Sequence, residues 1–192
     1  MPRRRYIFDP PDRFVAGTVG EPGDRTFFLQ ARTGDRLVSI ALEKVQVAVL
    51  AQRLNDLLEE LDRRGVADAT PVEVEHVAEV AATDAEPLDE PLIEAFRAGS
   101  LTLGWDGGEE RILVEARATG DDGEPIDPDE DDDDDEDGPD MLSVRITADA
   151  ARSFVARAAR VVGEGRPPCP LCGAPLDPRG HICPRRNGHY VN

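Results

Sequence analysis

Apolar residues change their spacing twice along the chain, and each change separates strands from a helix. Segments 14–19, 26–31 and 37–42 carry the alternation and apolar composition of half-buried strands. They are divided by Gly20-Glu-Pro-Gly23 and Thr33-Gly34-Asp35, which read as turns. In the third segment Leu37, Ser39 and Ala41 fall on one face, and Val38, Ile40 and Leu42 on the other. From Val45 the period lengthens. Val47, Leu50, Ala51, Leu54, Leu57, Leu58 and Leu61 lie three and four apart, which predicts an amphipathic helix ending near Gly65. The same succession then returns. Segment 100–105, a Gly107-Gly108 turn, segment 111–119 and segment 141–147 predict three more strands. A helix follows with Asp149 near its start, Ala151, Phe154, Val155, Ala158, Val161 and Val162 on one face, and Gly163 at its end.

Short matches support reading this succession as an internal repeat. Phe14-Val-Ala16-Gly17-Thr18 recurs as Phe96-Arg-Ala98-Gly99-Ser100, Phe28-Leu-Gln-Ala31-Arg32 as Leu113-Val-Glu-Ala116-Arg117, and Ser39-Ile-Ala-Leu42 as Ser143-Val-Arg-Ile146. The expected fold is α+β: two pseudo-repeated halves, about 6–65 and 96–163, each of three strands and a helix. The halves pack together in a body spanning residues 1–164, sheet faces covered by helices. Residues 66–95, rich in Ala, Glu and Pro, read as a linker with one short strand at 72–77.

Composition changes this picture in one place. The formal net charge of −18 is concentrated: residues 121–140 hold 14 of the 40 acidic side chains and no basic one, while the other 26 acidic side chains face 22 basic ones. A like-charge block of this kind repels itself and stays solvated. It reads as a long loop inserted between two strands, where added length costs little entropy. Its other readings are a docking segment for a basic partner or a nucleic-acid mimic. It lacks the alternating carboxylates, glycine and closing glutamate of a calcium loop. No apolar run approaches the roughly 18–20 residues of a membrane span. Arg3, Arg4 and Arg5 precede no apolar stretch of the signal-peptide kind. The expected location is the cytoplasm, with no membrane partner.

Residues 165–192 form a second module. All three cysteines and two of the three histidines lie there, among glycines and prolines. Cys169-Pro-Leu-Cys172 in a tight turn supplies two thiolates to one side of a tetrahedral zinc ion, and Cys183 with one histidine supplies the other. Three cysteines cannot pair completely as disulfides. The prolines before Cys169 and the Gly173-Ala-Pro175 after Cys172 suit a knuckle, not the helix start of a redox pair. Between His181 and His189 spacing leaves the choice open: His189 has room to fold back, whereas His181 needs a bent backbone to join Cys183. Three thiolates and a histidine close the coordination shell, so the ion is expected to be structural.

Other signs of chemistry are sparse. Gly104-Trp-Asp-Gly107-Gly108 lacks the lysine and helix start of a phosphate loop, and no Gly-x-Ser-x-Gly elbow occurs. His76, alone outside the tail among histidines, has no nucleophile near it in sequence. Three functions compete. The leading expectation is a noncatalytic interaction or adaptor protein with a zinc knuckle. The second is an enzyme acting on a small phosphorylated molecule between the two halves, with Arg32 and Arg117 as an anion-binding pair beside Trp105 and Asp106. The third is nucleic-acid association through Arg166, Arg179, Arg185 and Arg186 of the tail, which the overall acidity opposes.

Five stretches together carry a family resemblance. They are Phe14-Val-Ala-Gly-Thr-Val-Gly20, Leu42-Glu-Lys-x-Gln46, Gly104-Trp105-Asp106, Pro167-Pro168-Cys169-Pro-x-Cys172, and Gly180-His181-x-Cys183-Pro-Arg-x-Asn187-Gly188. With them the chain resembles an uncharacterised actinobacterial family, domain of unknown function 3090, over essentially its whole length. That resemblance implies the ligand set Cys169, Cys172, His181 and Cys183, because the family carries the Gly-His-x-Cys element while the position of His189 is often aromatic. It also implies genetic neighbours that resemble a histidine phosphatase and a kinase, the natural candidates for a protein partner. It assigns no activity.

Overall fold

The computed structural model describes residues 2–21, 23–72, 84–120, 138–164, 169–171 and 183. Among them stand seven strands and two helices. Strand β1 (Arg5–Phe8) comes first, then a meander of β2 (Arg13–Val19), β3 (Thr26–Thr33) and β4 (Arg36–Leu42), and helix α1 (Lys44–Arg63). A second meander of β5 (Glu94–Asp106), β6 (Arg111–Ala118) and β7 (Met141–Ile146) precedes helix α2 (Ala148–Gly163). The strands form one mixed sheet in the order β1-β7-β6-β5-β4-β3-β2.

The elements follow from local chemistry. Gly34, at φ 54°, lets the chain reverse between β3 and β4, whose pairing runs from Thr33↔Arg36 to Phe27↔Leu42. Helix α1 begins where Gln46 reaches back, its Oε1 accepting from the Glu43 backbone N–H at 2.8 Å. Thr147 caps α2, accepting from the Ala150 N–H. The buried positions of α1 (Val47, Leu50, Ala51, Leu54, Leu58, Leu61) are those that the periodicity marks, except Leu57, which is half-buried against the core.

One sheet face meets the helices. Phe14 and Ala16 of β2, Phe27, Leu29 and Ala31 of β3, and Val38, Ile40 and Leu42 of β4 join a core completed by Ile112, Val114, Leu142, Val144 and both helices. Phe14 stacks on Phe154 of α2 with ring centroids 4.9 Å apart.

The sheet is strongly curled. Laid flat, its six strand spacings would separate β1 from β2 by roughly 29 Å at about 4.8 Å each. The chain from Phe8 to Arg13 spans at most about 18 Å at roughly 3.6 Å per residue. The two edges therefore approach, and side chains across the curl meet. The Arg36 guanidinium lies 4.7 Å over the Phe8 ring and donates to the Ile7 carbonyl, and Tyr6 stacks on Phe96.

The α+β class holds, and the succession of strand, strand, strand and helix occurs twice in the described residues. The matched residues agree in register at two of three strands: Gln30 faces Ser39, and their counterparts Glu115 and Ser143 also face each other. At the first strand they diverge. Phe14 faces Ala31, but Ala116, the counterpart of Ala31, faces Leu101 and not Phe96. The offset runs from Phe96 to Leu101, and the bulge in β5 between Ala98 and Ser100, which shifts the pairing by one residue, does not account for it.

The halves do not remain separate blocks. β1 leaves the first meander and pairs in parallel with β7, from Arg5↔Met141 to Phe8↔Val144. β5 begins at Glu94, inside the stretch expected to be linker, and residues 84–93 of that stretch dock on the body as described below. Of the strand expected at 72–77, Val72 is buried and irregular, its N–H bound by Asn55; the rest lies outside the described residues. The acidic stretch does interrupt the β6–β7 hairpin, and residues 121–137 of it likewise lie outside them.

Candidate metal centre

Of the expected ligands, Cys169 and Cys183 are described. Both are buried, and their sulfurs stand 3.9 Å apart across 14 residues of sequence. A disulfide holds its sulfurs at about 2.05 Å. Two thiolates on one tetrahedral zinc, each about 2.3 Å from the metal, stand roughly 3.8 Å apart. The separation is too long for a bonded pair, and Cys169 and Cys183 form no disulfide with each other. Cys172, His181 and the competing His189 lie outside the described residues, as do His76, Arg166, Arg179, Arg185 and Arg186. Among the described residues no three His, Cys, Asp or Glu side chains gather as a metal group.

The four residues of the phosphate-binding reading do not share a pocket. The Arg32 Nε donates to Asp89 at 3.1 Å, and the buried Arg117 reaches Glu115 at 3.4 Å. β3 and β6 stand three strand spacings apart, about 14 Å. Trp105 packs toward the core side of β5. Asp106 is occupied by its own turn: it accepts from the Gly108 and Glu109 backbone N–H groups, which hold its carboxyl below the usual range. Of the N-terminal arginines, Arg4 pairs with Asp140 at 2.6 Å and fixes one end of the β6–β7 connection to β1.

A cluster that the sequence reading missed joins residues 84–91 to the body. Arg157 of α2 is almost fully buried. Its Nε donates to the Ala16 carbonyl at 2.7 Å, and its Nη1 to the Asp84 carbonyl and carboxylate at 2.9 and 2.7 Å. Arg13 forms a fork on the same carboxylate, both contacts at 2.9 Å, and also reaches Asp89 at 3.0 Å. Gln30 and Asp89 exchange two hydrogen bonds through the Asp89 backbone. Burial alone would raise the Asp84 carboxyl, but the Arg13 hydrogen bond and the charges of Arg157 and Arg13 outweigh it and hold it below the usual range. Burial pulls the Arg157 guanidinium down, and the Asp84 charge opposes this. One signal was present: Arg157 lies on the apolar stripe of α2, between Phe154 and Val161.

In the described residues, fold and cluster define an α+β protein with a curled mixed sheet, two helices on one face, and a strap held on the sheet by arginine–aspartate pairs. The chain belongs to the family described as protein of unknown function DUF3090, whose model matches residues 6–183. No curated protein and no solved structure matches it. Among the described residues, no helix is long and apolar enough to cross a membrane.

Proposed function

We propose that this chain is a noncatalytic interaction protein whose C-terminal residues are held by one structural zinc ion on Cys169, Cys172, His181 and Cys183. The observation that carries the reading is the 3.9 Å separation of two buried sulfurs, a spacing suited to co-ligation. Cys172 belongs to the same Cys-x-x-Cys motif as Cys169. His181 falls within the family match and His189 beyond it, which supports His181 as the fourth ligand. A shell of three thiolates and one imidazole leaves no position for a reacting water, so the ion would organise the chain and not act on a substrate. Thiolate ligands suit a reducing compartment, and the reading carries a cytoplasmic location with it. Arg32 and Arg117 each engage a carboxylate of their own chain, which leaves the phosphate-binding reading without its anchor. The register shared by Gln30–Ser39 and Glu115–Ser143 supports, in addition, descent of the two meanders from one unit.

Metal analysis of purified protein is expected to give one zinc per chain. Cys169→Ser, Cys183→Ser and His181→Ala should lose it, and His189→Ala should keep it. Loss with His189→Ala but retention with His181→Ala reassigns the fourth ligand, and a zinc-free native protein removes the site. The interaction itself is tested by affinity capture from cells with the phosphatase-like and kinase-like proteins present. A stoichiometric partner is expected; recovery of none speaks against an adaptor.

A further inference from the structure

Among the described strands β5 is the longest, and only part of its second edge is paired. β4 pairs with it at Glu94 and Arg97 and stops at Leu42, where the chain turns into α1. The Gln46 amide closes the next step by donating to the carbonyls of Ala98 and Gly99 at 3.0 and 3.4 Å. From Leu101 to Trp105 the strand has β6 on one side and a slot of about 530 Å³ on the other, whose far wall is Arg53, Asp56 and Leu57 of α1. In an antiparallel ladder alternate backbone groups point away from the partner strand, so this edge offers N–H and C=O groups to the slot. Thr102 also lines it, and its hydroxyl is buried behind that lining without a hydrogen-bond partner. Leu101, Leu103 and Trp105 give it an apolar floor, only partly buried against the core.

The charges on the wall indicate the occupant. Arg53 and Asp56 are exposed and lie three residues apart on α1. Neither has a hydrogen bond or ion pair among the described residues, although other arginines of the body, such as Arg13, Arg32 and Arg64, have found carboxylates. One unmet cation beside one unmet anion is a self-complementary pair. A two-fold axis through the slot would set Arg53 of each copy against Asp56 of the other and run the two β5 edges antiparallel.

We propose that this slot is a self-association surface, in which a second copy of this chain adds its β5 edge and the Arg53 and Asp56 side chains cross-pair between the α1 helices. The proposal does not depend on the zinc reading. Trp105, the sole tryptophan, reports on it directly.

Sedimentation equilibrium of the full chain should give a dimer that dissociates on dilution, with a parallel shift in Trp105 emission. Arg53→Glu sets two carboxylates together at both crossings, and Asp56→Lys sets two cations together. Each reversal should weaken dimerisation about 100-fold, roughly tenfold per crossing. The double variant Arg53→Glu/Asp56→Lys restores both pairs with the signs exchanged and should dimerise again. Both positions are exposed, and an unchanged far-ultraviolet circular dichroism spectrum verifies that the variants fold. A monomer at every concentration overturns the proposal, including one whose Trp105 emission responds only to another protein's extended segment. So does a dimer that the single reversals leave intact, that the double variant fails to restore, or that forms without change at Trp105.

Discussion

Gln46 holds two elements at once. Its carbonyl oxygen accepts from the first N–H of the α1 turn, and its amide donates to the carbonyls at the β5 bulge. Gln46→Ala removes both sets and should cost about 1–2 kcal/mol in urea unfolding. Gln46→Glu keeps the cap but has no donor for Ala98, and should fall between the two. The residue stands out in the sequence as the third position of a helix start, but its second role does not, because the bulge it serves lies 52 residues away. Asp84 was still less visible. Its carboxyl titrates below its ordinary value near 3.8, so its stabilising effect is fully present above that pH and is lost as the pH falls through the lower folded value. Stability should therefore decline below about pH 4. Asp84→Asn should flatten that decline and cost about 3 kcal/mol at neutral pH, because Arg157 then stays buried without its carboxylate. Denaturant midpoints of both proteins from pH 3 to 7, on the order of the carboxylate range, check the sign and size.

At the scale of elements, the meander of β2, β3 and β4 and the helix after it were readable because strand alternation, turn glycines and the change of period agree with one another. The strap at residues 84–91 was not. Its Ala, Glu and Pro content describes a linker, and its anchors are ion pairs and hydrogen bonds to Arg13, Gln30 and Arg157, which lie 59 to 74 residues distant. Gly17 is the floor beneath it: a β-carbon there would lie 2.6 Å from two carbons of the Leu88 side chain. Gly17→Ala should thus lift the strap and destabilise the protein by about 1–3 kcal/mol. Leu88→Ala clears the same space. In a double-mutant cycle the Gly17→Ala penalty should shrink in the Leu88→Ala background, and strictly additive values would place the strap elsewhere. The start of β5 was also missed, since Glu94-Ala-Phe-Arg97 shows no clean alternation and becomes a strand only through its partner β4.

For the whole molecule, the closure of the body was not legible in the sequence, and the tail that the cysteines mark lies mostly outside the described residues. The apolar core joins both helices to all the strands, so it does not depend on the proposed zinc module. Chelation should therefore release zinc and alter the environment of the cysteines while the sheet and helices still melt cooperatively. A single transition lost on chelation would instead make the metal part of the body's fold. β1 escaped notice because four residues of mixed character, Arg5–Phe8, carry too little pattern to distinguish a strand from an end of chain. Its pairing with β7 has a consequence for the protein's birth. Among the described residues, the first strand made lies beside the last, 136 positions later, with Arg5 opposite Met141. At roughly 10 residues per second the backbone groups of β1 wait on the order of ten seconds for their partner strand, although Arg36 and Phe96, which meet Phe8 and Tyr6, are made earlier. The curl cannot close until β7 has been made, so the edge of β1 stays open while the two meanders between them are synthesised.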